Sequence, residues 1–162
     1  MELYLNGVSL GRQNASSKRA CETVFRVPYA PGELKAVSLR NGEPVSSYGM
    51  TTPGKPVSFA ITQEEYPHST QLTFVRIQAV DAEGRPVFTE IPDLTVKLEG
   101  ESLRLLAFGS WNAPHAGGYQ SPVLSVKNGK ALLILRRLPE KTGTVRLQVS
   151  AEGIGCAEVL LH

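Results

Sequence analysis

The chain has 162 residues, 41% of them hydrophobic and 20% charged, with a formal net charge of +2, the profile of an ordinary folded protein and not of a disordered, self-repelling one. That length suits one sizeable core or two small ones. Basic pairs at Lys18-Arg19 and Arg136-Arg137 stand among scattered acids with no aromatic-interleaved basic stripe, no apolar run nears the roughly 20 residues of a bilayer-spanning helix, and Met1-Glu2-Leu3 lacks the layout of a signal peptide, so neither nucleic acid nor membrane is an expected partner.

Strand signals open the chain. Leu3-Tyr4-Leu5 and Val8-Ser9-Leu10 flank Asn6-Gly7, a dipeptide that tolerates the positive φ angles of two-residue hairpin turns. The pattern begins within a strand, as in an excised piece. Arg12 to Ala20 is polar and Ser-rich and reads as a loop. Thr23 to Val27 is predicted as a strand ended by Pro28, Ala30-Pro31-Gly32-Glu33 as a turn, and Leu34 to Leu39 as a further strand closed by Asn41-Gly42. Thr51-Thr52-Pro53-Gly54-Lys55-Pro56 predicts a stiff, unpaired linker, because proline has no N–H to give to a ladder. The domains expected from this break are residues 1–56 and 57–162.

Beyond the linker, Val57, Phe59 and Ile61 alternate with Ser58 and Ala60, and Val75, Ile77 and Ala79 alternate with Arg76 and Gln78, the period of two that gives a strand one buried face. Leu72 and Phe74 fall in the opposite phase, which calls either for cover on both faces or for a bulge. Asp81-Ala82-Glu83-Gly84 suits a type I turn, with a strand resuming at Arg85-Pro86-Val87. Leu94, Val96 and Leu98 alternate with Thr95, Lys97 and Glu99. Leu103 to Phe108 and Ala131 to Leu135 are continuously apolar and read as strands covered on both sides. Val145, Leu147 and Val149, then Ala157, Val159 and Leu161, complete about seven short strands, the pattern of an immunoglobulin-like sandwich. No segment keeps a helical period, so α/β folds drop out.

Cys21 and Cys156 lack CxxC spacing and are expected as free, partly buried thiols. His68, His115 and His162 are dispersed, so neither a metal nor a cofactor is expected. The adjacent acids Glu64-Glu65 fall in a polar loop, where neighbours in an extended chain point to opposite faces and cannot form the paired carboxyls of a glycosidase. No GxSxG turn is present for a serine hydrolase. The loop Ser110 to Gln120 gathers Trp111, Asn112, His115 and Tyr119 around a Gly117-Gly118 pair. Such a mixture serves either to bind sugar, by ring stacking and hydrogen bonds, or to pack against a neighbouring domain.

The residues also carry a resemblance. Glu2-Leu3-Tyr4-Leu5-Asn6-Gly7-Val8-Ser9-Leu10-Gly11 and Val27-Pro28-Tyr29-Ala30-Pro31-Gly32-Glu33-Leu34-Lys35-Ala36-Val37 resemble the immunoglobulin-like module that follows the catalytic barrel in bacterial family 2 glycoside hydrolases of the β-galactosidase type. Val80-Asp81-Ala82-Glu83-Gly84, Phe108-Gly109-Ser110 with Asn112 and Pro114, Asn128-Gly129-Lys130-Ala131-Leu132 and Val149-Ser150-Ala151-Glu152-Gly153-Ile154 are similar to the terminal module of the same enzymes. Trp111 and Ala113 interrupt the usual run after Gly109-Ser110. The resemblance implies an all-β fold of two tandem immunoglobulin-like β-sandwich modules, the first incomplete. It implies a bacterial parent enzyme, periplasmic, secreted or cytoplasmic, whose catalytic carboxylates lie in a barrel outside this chain. The expected role is that of a non-catalytic accessory region partnered by the barrel and other domains, or by a second copy in a homo-oligomer. The alternative is a carbohydrate-binding or adhesive module that uses the Trp111 loop.

Overall fold

The computed structural model describes residues 1–15, 21–64, 71–110 and 118–162. All regular structure among them is β, arranged in three antiparallel four-stranded sheets. No helix there is long and apolar enough to cross a membrane. The chain divides into two compact units, Met1–Thr52 and Pro53–His162.

The first unit is one sheet, built from β1 (Glu2–Leu5), β2 (Val8–Arg12), β3 (Glu33–Arg40) and β4 (Glu43–Thr51) in the order β2-β1-β3-β4. Two hairpins make it. Asn6 and Gly7 take φ values of 50° and 79°, and Asn41 and Gly42 values of 54° and 91°, the doubly positive turns whose twist matches that of paired strands. Asn6 also ties the hairpin to the Ala30–Glu33 turn: its Oδ1 accepts the Glu33 N–H at 2.8 Å and its Nδ2 donates to the Pro31 carbonyl at 3.1 Å. The strand expected at Thr23–Val27 does not form. Residues 22–30 carry no ladder partner, and Val24 and Val27 are exposed, because a short β-rich run is stable only beside another strand.

The second unit is a two-layer sandwich. One sheet runs β5-β6-β10-β8, from β5 (Ser58–Glu64), β6 (Leu72–Val80), β8 (Leu103–Ser110) and β10 (Lys130–Arg137). The other runs β12-β11-β7-β9, from β7 (Ile91–Glu99), β9 (Val123–Val126), β11 (Val145–Ala151) and β12 (Gly155–Leu161). Both sheets contribute to one core that includes Val75, Ile77, Leu133, Leu147 and Val149, all at 0% exposure. Alternate residues enter it, as the period of two requires.

Three readings of phase are corrected here. β6 pairs without a register shift on either side, so Leu72 and Phe74 are half-buried on its outer face and no bulge is involved. In β8 the register against β10 slips between Leu105 and Ala107, leaving Leu106 as the extra residue. The slip lets Leu103 and Phe108, of opposite parity, both reach the core of an edge strand. In β10 the apolar run alternates after all: Ala131, Leu133 and Leu135 are buried while Leu132 is exposed. The strand expected at Arg85–Val87 is a single bridge between Val80 and Pro86, with the Val87 N–H on the Ala79 carbonyl, since proline cannot continue a ladder. Both cysteines are exposed, not partly buried.

Candidate functional site

The loop that holds the sequence-predicted residues leaves β8 at Ser110 and returns before β9. Trp111, Asn112 and His115 lie outside the described residues. Tyr119 is described and 58% exposed. Its carbonyl accepts the Phe108 N–H at 2.6 Å, and the Gly118 carbonyl accepts the Ser121 N–H at 3.4 Å. Phe108 is 1% exposed, so the returning arm of the loop is tied to a strand anchored in the core.

The strongest electrostatic arrangement is at Asp81, which is 3% exposed. Its Oδ1 accepts the N–H groups of Glu83 (3.1 Å) and Arg85 (2.8 Å), and its Oδ2 accepts the Gly54 N–H (2.8 Å) and the Arg85 Nε–H (2.7 Å). Burial pushes its pKa up, but the N–H groups of Gly54 and Arg85 and the Arg85 guanidinium outweigh that and hold it at about 2. The same partners close the turn, where the Gly84 N–H meets the Asp81 carbonyl at 3.0 Å and the Asp81 N–H meets that of Arg85 at 3.0 Å. The segment expected as an unpaired linker is pinned at Gly54 by this carboxylate and at Val57, whose N–H donates to the Val80 carbonyl at 2.9 Å. The Asp-x-x-Gly turn was readable in the sequence; the reach of Asp81 back to Gly54 carries no local sequence signal.

Two further carboxylates are held low. Glu2 is buried and accepts hydrogen bonds from Ser9 Oγ and Arg12 Nε, both at 2.7 Å, which lower its pKa; its bond with Tyr4 raises the phenol. Glu99 is lowered by the Lys97 ammonium at 2.7 Å. Glu64, expected in a loop, ends β5 and is ion-paired with Arg76, while Glu65 lies outside the described residues.

A glycosidase acid needs a carboxyl whose pKa is raised, facing a second carboxyl across a sugar pocket. Asp81, Glu2 and Glu99 shift the other way, and their oxygens are engaged by structural donors. Among the described residues no group of His, Cys, Asp and Glu is arranged to hold a metal ion. His68 lies outside them with His115, and the His162 carbonyl accepts a bond from Arg137 at 2.5 Å. Among the described residues these groups hold loops and turns in place.

Residues 63–160 match the model described as glycoside hydrolase family 2 C-terminal domain 5, and residues 1–46 match a domain of unknown function, DUF4982. A curated relative, beta-galactosidase BoGH2A of Bacteroides ovatus, is 23% identical over 159 residues, which are 95% of this chain and 18% of that protein. Among solved structures, a glycosyl hydrolase family 2 member from Bacteroides cellulosilyticus is 24% identical with a TM-score of 0.85, over 99% of this chain and 22% of that one. A beta-glycosidase from Bacteroides vulgatus is 25% identical with a TM-score of 0.79, over 99% of this chain and 21% of that one. The chain therefore spans about a fifth of the length of these relatives.

Proposed function

We propose that this chain, which belongs to the glycoside hydrolase family 2 C-terminal domain 5 family, is the non-catalytic accessory region of a β-galactosidase-like enzyme and works by packing against other domains of that enzyme. The single observation that carries the reading is the match of residues 63–160 to a C-terminal domain of these hydrolases in a chain a fifth as long as its relatives. The lowered pKa values of Asp81, Glu2 and Glu99 support it, because they are opposite to what a glycosidase acid requires. On this reading both modules are immunoglobulin-like, the first is incomplete, and the boundary falls in the stretch Thr51 to Pro56. Hydrolysis of an O-glycosidic bond then belongs to a barrel elsewhere in the polypeptide, and the accessory region supports the rim of that active site.

Two measurements test this. The purified chain is expected to release no nitrophenol from nitrophenyl galactosides or glucuronides, and turnover that survives repurification would sink the reading. Tryptophan emission is expected to stay unchanged on titration with galactose or oligosaccharides, since Trp111, Asn112, His115 and Tyr119 are read as docking residues. A saturable shift abolished by Trp111→Ala would favour the carbohydrate-binding alternative.

A further inference from the structure

The two outer faces of the second unit's sandwich differ in how their charges are matched. On the β12-β11-β7 face Arg146 stands opposite Glu99, and Gln148 lies between Lys97 and Glu158. Lys97 bonds to Glu99 at 2.7 Å and Gln148 to Glu158 at 2.6 Å, so two cations meet two acids and the face is balanced in water. On the β6-β10-β8 face the outward positions of β10 run Lys130, Leu132, Ile134, Arg136, a cation at each end of an aliphatic centre. Across the β8 ladder Gly109 and Ala107 oppose Leu132 and Ile134 and add little bulk there, while Arg104 stands directly opposite Arg136. Like charges so placed, with Cα atoms about 4.5–5.5 Å apart, repel and destabilise the ladder. Both arginines are exposed, and among the described residues neither has an ion pair, whereas Arg76 on the same face is paired with Glu64. An acid at either position would have relieved the repulsion, as Glu99 does opposite Arg146. A local rule broken without compensation inside the fold points to a function outside it.

Resting on the accessory-region reading and deepening it, we propose that this outer face docks an acidic polypeptide segment, whose carboxylates engage the guanidinium groups of Arg104 and Arg136 while an aliphatic side chain lies on Leu132 and Ile134. Charge carries the choice of occupant. The outward strand positions hold Arg76, Arg104, Lys130 and Arg136 against the single acid Glu64, and guanidinium groups take carboxylates by paired, charge-assisted hydrogen bonds. Arginine beside a small apolar centre is also the composition that protein interfaces favour. A second copy docking by the same face would set these arginines against their own counterparts, which like-charge repulsion opposes. The aromatic residue of the face, Phe74, is half-buried, and the exposed apolar side chain is Leu132 at 39%, a surface for an aliphatic group and not for the ring stacking of a glycan.

Two measurements on the 162-residue chain test this. Arg136→Gln removes the repulsion with Arg104 and is expected to raise the thermal midpoint at low salt by roughly 1–4 °C, a gain that shrinks at molar salt as the charges are screened. An unchanged or lowered midpoint would show that the two arginines are at ease without a partner, and overturns the proposal. The second measurement titrates the chain with a blocked peptide alternating glutamate and leucine, followed by backbone amide resonances. Saturable shifts are expected at Arg104, Leu132 and Arg136 and none at Arg146 or Gln148, with binding about tenfold or more weaker in the folded double variant Arg104→Gln/Arg136→Gln. No saturation, or equal binding of a peptide alternating lysine and leucine, overturns the proposal. Tighter binding of polygalacturonate through the same residues assigns the face to an acidic glycan and overturns it. Shifts at these residues that grow with chain concentration in the absence of peptide assign it to a second copy and overturn it too. In each of these cases the accessory-region reading stands, since it is the turnover assay that sinks that reading.

Discussion

Asn6 occupies the space that a side chain at Gly32 would need: a Cβ there would stand 1.8 Å from Asn6 Oδ1. Gly32 has a φ of 130°, and the Asn6 carboxamide bridges the hairpin and the Ala30–Glu33 turn across this gap. Gly32→Ala is therefore expected to break that bridge, at a cost of about 2 kcal/mol or more. Hydrogen exchange at the Asn6 and Glu33 amides is the readout. Both should speed up, while amides of β11 keep their protection; unchanged rates at Asn6 and Glu33 would contradict the packing.

Asp81 gives the second unit a pH dependence with a definite sign. Its folded pKa, about 2, lies below the ordinary 3.8, so its contribution is fully present above about pH 4 and is lost as pH falls toward 2. Asp81→Asn keeps the size but weakens the bonds to Gly54 and Arg85. It should lower the thermal midpoint at pH 7 by roughly 5 °C or more, and the gap between variant and parent should shrink between pH 4 and pH 2. A constant gap across that range would show that the carboxylate charge is not what holds the turn.

Much of this fold is legible in the sequence, and the failures share a cause. The turns at Asn6-Gly7 and Asn41-Gly42, and the strands through Ile77, Val96 and Leu147, follow from local chemistry and a clean period of two. β4 escaped notice because Val45 is the extra residue where the register slips between Ser38 and Leu39, so Val45 and Tyr48 fall out of phase. β8 was expected as a strand, but Leu106, the extra residue there, disguised its phase. A bulge depends on the partner strand, which a linear reading does not contain. β9, with four residues, is too short for periodicity to stand out. At the candidate site, the Asp81 turn was visible but its bond to Gly54 spans 27 positions, beyond any local pattern.

Leu132 and Leu133 test the phase of β10 directly. Leu133 is at 0% exposure and Leu132 at 39%. Leu133→Ala should destabilise the second unit by about 2–5 kcal/mol, through lost burial and the cavity left behind. Leu132→Ala should cost under about 1 kcal/mol. Denaturant unfolding with an unchanged slope would measure both, and equal losses would mean that the strand is covered on both faces.

The last prediction concerns the two units apart. Among the described residues of Met1–Thr52, Leu3 is the only hydrophobic side chain that is buried, whereas Pro53–His162 encloses a cluster from both its sheets. A domain near 60 residues is marginal even with two layers, because it removes only about 60% of its unfolded surface from water. One sheet of 52 residues has far less to set against chain entropy. Met1–Thr52 expressed alone is therefore expected not to fold, and Pro53–His162 alone to fold cooperatively. Where the cut is made also matters. Starting at Val57 removes Gly54, one of the donors that hold Asp81 ionised, so 57–162 should melt below 53–162, with the difference fading toward pH 2. Circular dichroism melts at low concentration would check all three fragments. A cooperative transition in the monomeric 1–52 fragment would refute the first expectation, and identical melts of the two longer fragments would refute the role of Gly54.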